Sequence, residues 1–180
     1  MNTHRQETPA EKKTRIFRER AKKLAAENAP RDSGGESLEL LEFLLGKERY
    51  AVETAFVGEV FPPGEITPVP CTPPFVAGVV NLRGRIVPVV DLKILFGIRS
   101  AGEKRGARIV LLQSGGAEMG LLTDGVPGIG IIGRETVRPP LSVPSGLPGA
   151  YMTGIAGNDL AVLDGGKILR DSALTVDEEA

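Results

Sequence analysis

Tryptophan is absent from the sequence, and histidine and cysteine occur once each, as His4 and Cys71. A lone cysteine excludes an intrachain disulfide and makes a reducing cytoplasm the simplest setting. One His and one Cys cannot build a tetrahedral metal shell, and Ser–His or Cys–His nucleophile pairs are equally unsupported. Phosphotransfer on a histidine needs that residue on a packed helical face, and His4 lies in a charged N-terminal tail. Long apolar runs are missing too. None reaches the roughly 20 residues of a spanning helix, because Asp91 and Lys93 interrupt the best candidate. The N-terminus carries charge throughout, without the apolar stretch of a signal peptide. No P-loop Gly-Lys-Ser/Thr occurs, and no periodic scaffold converges two carboxylates into an acid–base couple. The expectation is a soluble, non-enzymatic protein with no cofactor and no metal, which reaches a membrane only through a partner.

Glycine and proline are abundant instead, 23 and 14 of 180 residues, and after residue 57 they recur at short spacing. That pattern predicts short strands joined by turns, an all-β chain. Charge is nearly balanced, 22 Lys and Arg against 23 Asp and Glu, so nothing global recruits nucleic acid. The balance hides an asymmetry. Residues 1–35 hold nine basic and five acidic residues, a net of +4, which leaves −5 for the remainder of the −1 total. Thr8-Pro9-Ala10-Glu11 reads as a helix start, and helix formers follow to Glu27 before Pro30 and Gly34-Gly35 stop them. This basic extension has three readings: a solvated helix on a linker, a docking helix using Ile16, Phe17 and Leu24, or a lipid- or nucleic-acid-binding segment.

From Leu38 the period changes to that of strands. Leu38 to Leu45 and Tyr50 to Thr54 read as a hairpin around Gly46-Lys47. Val57-Gly58-Glu59-Val60 follows, then a connection stiffened by Pro62, Pro63, Pro68, Pro70, Pro73 and Pro74. Val79 to Leu82 and Ile86 to Val90 form a second hairpin across Arg83-Gly84, because Gly supplies the positive φ of such a turn. The outgoing strand is apolar at successive positions, so both its faces are expected to be covered, with the ladder interrupted at Pro88. Asp91 caps a short helix that Gly97 ends. A polar loop, 99–106, divides the chain. Ile109 to Leu112 and Met119 to Leu122 pair across Gly115-Gly116, and Asp124-Gly125 leads into Val126 to Ile132. After a Pro-rich loop, strands Tyr151 to Ile155 and Leu160 to Leu163 flank Gly157-Asn158-Asp159, and Asp164 caps a last helix. The two halves share this outline without a residue-level repeat, which suits two small barrels. Gly128 to Gly133 spells G-x-G-x-x-G, but no helix opens inside it, so these are strand or bulge glycines rather than a nucleotide site.

Arg83, at a tight turn between two buried strands, is directed outward and is the candidate functional residue. The plain alternative is that it only solvates a hairpin tip. Asn81-Leu82-Arg83-Gly84 followed by Ile86-Val87-Pro88-Val89-Val90-Asp91-Leu92 resembles the signature of the CheW-like domain. That domain occurs in bacterial and archaeal chemotaxis coupling proteins and at the C-terminus of the CheA kinase. More loosely, the resemblance runs from Glu36 to Asp171. It implies two five-stranded, SH3-like barrels packed together (36–171), with the basic extension (1–35) and an acidic tail (172–180) as additions. It also implies a cytoplasmic adaptor at membrane receptor arrays that links the tip of a chemoreceptor, a methyl-accepting chemotaxis protein, to the regulatory domain of a CheA-type histidine kinase. In such proteins the Arg of this motif lies at the groove between the barrels. Glu59 falls where an acidic residue pairs with it, so Arg83, Glu59, Val57, Asn81 and Gly84 are the implied receptor-binding residues. Two alternatives stand beside it: the same adaptor in a pathway governing motility type, surface behaviour or gene expression, and a nucleotide-binding domain or enzyme using Gly128 to Gly133.

Overall fold

The computed structural model describes residues 36–99, 106–139, 149–171 and Leu174, all within one compact unit, Gly34–Ala180. The expected N-terminal helix and the acidic tail, Leu174 apart, lie outside the described residues.

The described residues open with β1 (Ser37–Leu45) and β2 (Glu48–Glu53), paired around a turn where Gly46 has φ +64°. A one-turn 3-10 helix, Thr54–Phe56, leads to β3 (Val57–Phe61). The Pro-rich connection ends at β4 (Val76–Leu82), which pairs with β5 (Arg85–Asp91). Asp91 then caps α1 (Leu92–Leu95), its carboxylate accepting from the Lys93 N–H at 2.9 Å, and Gly97 takes φ +67° beyond the end. The second half repeats the plan. β6 (Arg108–Ser114) and β7 (Ala117–Thr123) form a hairpin, and β8 (Gly125–Gly133) follows, with a 3-10 turn at Arg134–Thr136 and the short β9 (Val137–Arg138). A second closing hairpin, β10 (Met152–Ala156) and β11 (Leu160–Leu163), runs into α2 (Gly165–Arg170), capped by Asp164 through the Lys167 N–H at 2.9 Å.

The strands form two sheets, β8-β1-β2-β11-β10-β9 and β3-β6-β7-β5-β4. In the first, β8 and β9 stand at opposite ends of the order yet are joined by a three-residue turn. The sheet therefore closes, and its six strands are the expected five with the last one broken. We call it barrel A. The second, barrel B, is closed from the Pro-rich connection, where Thr67 bridges to Val79. Gly78, at φ +139°, makes this possible, because the Thr67 carbonyl fills the space a Cβ would need. The all-β architecture of two small barrels matches the expectation.

One part of the expectation is corrected. The halves of the sequence are not the two barrels. Barrel A takes β1 and β2 from the first half and the rest from the second; barrel B takes β6 and β7 from the second half and the rest from the first. Each half thus lends its opening hairpin to the other. The loans are fixed by parallel pairings, β5 with β7 and β11 with β2.

Exchange explains why successive residues are apolar. On β6, Ile109 and Leu111 fill barrel B, while Val110 and Leu112 face a core shared between the barrels. On β5, Val87 and Val89 fill barrel B and Val90 joins the shared core. β1 divides likewise, with Leu38 and Leu40 inside barrel A and Leu41, Phe43 and Leu45 in the seam. There Tyr50 of barrel A bridges Phe43 and Phe96, each ring pair 5.9 Å apart between centroids. Burial, reinforced by the Glu48 carboxylate that accepts from its hydroxyl at 2.5 Å, pushes the Tyr50 phenol well above its ordinary range. Pro88 falls one residue before β5 begins to pair with β7, so its missing N–H disrupts no parallel ladder.

Candidate functional site

The β4–β5 turn has two central residues, Arg83 at φ +53° and Gly84 at φ +86°. Two positive φ values define the type I′ turn, whose twist matches the strands it joins. For Gly84 that conformation is free. For Arg83 it costs on the order of 1–2 kcal/mol, since a Cβ crowds the following carbonyl in the left-handed region. The Asn81 side chain holds the turn by accepting from the Gly84 N–H at 2.8 Å.

Arg83 points outward, its side chain 76% exposed, and donates from Nη2 to Glu59 Oε2 at 2.9 Å. Glu59 is 25% exposed, and its other carboxylate oxygen, Oε1, is buried with no hydrogen-bond partner. The sequence-level expectation of an Arg83–Glu59 pair is met, but its energetics differ from those of a buried pair. With the guanidinium in water, the contact contributes about 0–1 kcal/mol. One N–H is engaged and the other guanidinium donors face solvent.

Val57 behaves differently. A register shift between Val57 and Glu59 separates their directions: Val57 pairs with Leu112 of the seam core, Glu59 with Leu111 of the barrel B core. Val57 is half-buried against the seam, so it does not flank Arg83 in the way i and i+2 strand positions would. Arg83, Glu59, Asn81 and Gly84 are therefore brought together at one end of barrel B, while Val57 marks the border between the barrels.

Three features escape a sequence reading. Arg85 pairs with Glu118 of β7 beside the same turn. Ile86, on the strand expected to be covered on both faces, is exposed. Along β8, Ile129 and Ile131 are 61% and 53% exposed. The alternation of Gly and Ile in that run was the available signal, since one face without side chains leaves apolar ones on the other. These isoleucines continue the seam outward. Ile129 pairs with Leu41, a seam residue, and Ile131 with Glu39, whose carboxylate accepts from Thr54 Oγ1 at 2.7 Å. Thr54 begins the short helix that leads to Val57.

Among the described residues no group of three or more His, Cys, Asp or Glu could hold a metal, and no helix is long and apolar enough to cross a membrane. Gly128 to Gly133 is strand throughout, paired with β1.

Known proteins resemble this chain in sequence and in fold. The family model for the CheW-like domain matches residues 39–173. The chemotaxis protein CheW of Treponema pallidum is 29% identical over 146 residues, 77% of this chain and 86% of that one. Its namesake in Klebsiella aerogenes is 32% identical over 117 residues, 65% of this chain and 70% of its own length. Among solved structures, the scaffolding protein TtCheW from Thermoanaerobacter tengcongensis aligns with a TM-score of 0.66 at 32% identity, over 73% of this chain and 87% of that one. With the signature turn, the paired barrels and the family match in agreement, the chain belongs to the CheW-like domain family.

Proposed function

We propose that this protein is an adaptor that couples chemoreceptors to a CheA-type histidine kinase, gripping the receptor through Arg83. Like the scaffold proteins of its family, it is not an enzyme. The observation that carries the reading is a cation held at a strained turn, 76% exposed, with a single ion-pair partner among the described residues. A planar fork of free donors suits a carboxylate or backbone carbonyls of another protein. Glu59 orients the fork without consuming it, and Asn81 and Gly84 keep the turn rigid. The docking face runs from there past Val57 to Ile129 and Ile131, which supply the exposed apolar area a protein partner covers. A separate barrel end takes the kinase's own CheW-like domain. Receptor states then bias kinase states because their contacts with the adaptor differ.

In this reading the adaptor works in the cytoplasm beneath membrane receptor arrays. Residues 36–171 are the coupling domain, and 1–35 and 172–180 are appendages. Co-sedimentation with receptor-bearing membranes and the kinase tests this. The kinase should pellet only when the adaptor is present, and Arg83→Ala should abolish its recruitment. Equal pelleting with and without the adaptor contradicts the proposal.

A further inference from the structure

Among the described residues the chain passes between the barrels twice, from β2 to β3 and from β7 to β8, and the second passage is a single residue, Asp124. Three bonds converge on it. Its N–H donates to the Leu44 carbonyl at 2.9 Å. Its Oδ2 accepts from the Gly46 N–H at 2.6 Å, so it also ties down the β1–β2 turn of barrel A. Its Oδ1 accepts from Lys93 Nζ at 2.5 Å, and Lys93 sits on α1, which follows directly on β5 of barrel B. Both side chains are largely covered, Lys93 at 18% and Asp124 at 15% exposure, so water screens this pair far less than it screens Arg83–Glu59.

We infer that Asp124 and Lys93 form a clasp that fixes the angle between the barrels and so holds the two parts of the docking face in register. They are positioning residues. The seam core is apolar, and apolar attraction has no preferred direction. A hydrogen-bonded ion pair does, and this one joins an element of each barrel through the residue where the chain changes barrels. The parts it aligns are far apart in sequence. β5 runs from the Arg83 turn straight into α1 and Lys93, whereas Ile129 and Ile131 follow Asp124 on β8. Losing the clasp lets the seam settle at another angle without opening it.

The test uses the full chain and three variants. Asp124→Asn keeps an acceptor for Gly46 and removes the charge, Lys93→Met keeps the length and removes the cation, and Lys93→Arg restores one. Residual dipolar couplings, fitted separately to the barrels, report their relative orientation without any partner. Asp124→Asn and Lys93→Met should each rotate one barrel against the other, and Lys93→Arg should return the wild-type orientation. Affinity for a receptor-tip fragment should fall about tenfold in the first two variants, a typical scale for residues along a coupling network. Affinity for the kinase's CheW-like domain, which engages one barrel end, should stay within error. Wild-type orientations in both variants would overturn the inference, as would equal losses toward both partners. The binding arm rests on the function proposed above, and the orientation arm does not. A wild-type chain that ignores the receptor fragment would refute that function and leave the couplings to judge the clasp.

Discussion

The closing hairpins of the two barrels occupy the same place in the same frame, and their tips carry opposite charge. β4–β5 and β10–β11 each run into an aspartate-capped helix, and each lies parallel to the second strand of a borrowed hairpin. Both frames include an ion pair between the closing-hairpin tip and that neighbouring strand, with the signs reversed. In barrel B, Arg85 at the tip meets Glu118 on β7; in barrel A, Asp159 at the tip meets Arg49 on β2 at 3.2 Å. Arg49 also bonds Glu42, and that contact, more than Asp159, raises its pKa further. Barrel A thus spends its tip charge within its own barrel. Barrel B does the same with Arg85 and carries a second cation at the tip, Arg83, which Glu59 of β3 holds through one N–H; among the described residues the barrel A tip, Gly157-Asn158-Asp159, has no such cation. A cation held by one contact and 76% exposed has donors left for a partner.

The largest effects should ignore this difference, because the barrels share a core and exchange hairpins. Phe43→Ala, in the seam, should cost about 3–5 kcal/mol in a urea melt and shift one cooperative transition without splitting it. Leu111→Ala, inside barrel B alone, should cost about 2–5 kcal/mol. Hydrogen exchange should then report the same loss of protection in β10 and β11 of barrel A. Protection lost only in barrel B would mean that the barrels open independently.

At the next scale the two frames should match. Asp91→Ala and Asp164→Ala remove equivalent caps, so each should lower stability by about 1 kcal/mol. Unequal costs would show that the repeat is one of outline only. Smaller still, Arg83→Ala and Asp159→Ala each delete an exposed ion pair and should move the urea midpoint by the equivalent of about 0–1 kcal/mol. Here the comparison sharpens, since Arg83→Ala alone should lose the receptor.

A separate effect, absent at neutral pH, concerns alkaline pH. Tyr50 and Tyr151 are both held above the ordinary phenol value, first by burial and then by hydrogen bonds to Glu48 and Asp171. The folded pKa is the higher one, so their contribution is complete below the unfolded value of about 10 and is lost as pH climbs beyond it. Stability should fall above that pH, less steeply in Tyr50→Phe. An unchanged slope would contradict this.

Local features were legible in the sequence. Asp91 and Asp164 announce their helices, Gly46 and Gly84 their turns, and Arg83-Gly84 its hairpin, because each depends on a few consecutive residues. The hairpin exchange was not legible. It is decided by parallel pairings such as Val89 with Gly120, and nothing near either residue encodes the partner. The bulge between Val57 and Glu59 appears only in their pairing with β6 across the sheet, so the short Val57-Gly58-Glu59-Val60 run does not announce it. Apolar residues on β5 and β8 meet different surroundings, which the fold decides. On β5 the seam covers Val90, whereas on β8 Ile129 and Ile131 lie past the seam's edge. Lys93 and Asp124 look like ordinary surface charges until the fold brings them together.

Calorimetric titration of a receptor-tip fragment into the wild-type chain and Arg83→Ala, with urea midpoints recorded on the same samples, bears most directly on the exposed Arg83 cation. The account predicts that Kd weakens by about a factor of ten or more, as for an interface anchor, while the midpoint hardly moves. Equal affinities, or a loss of binding matched by a loss of folding, would contradict it.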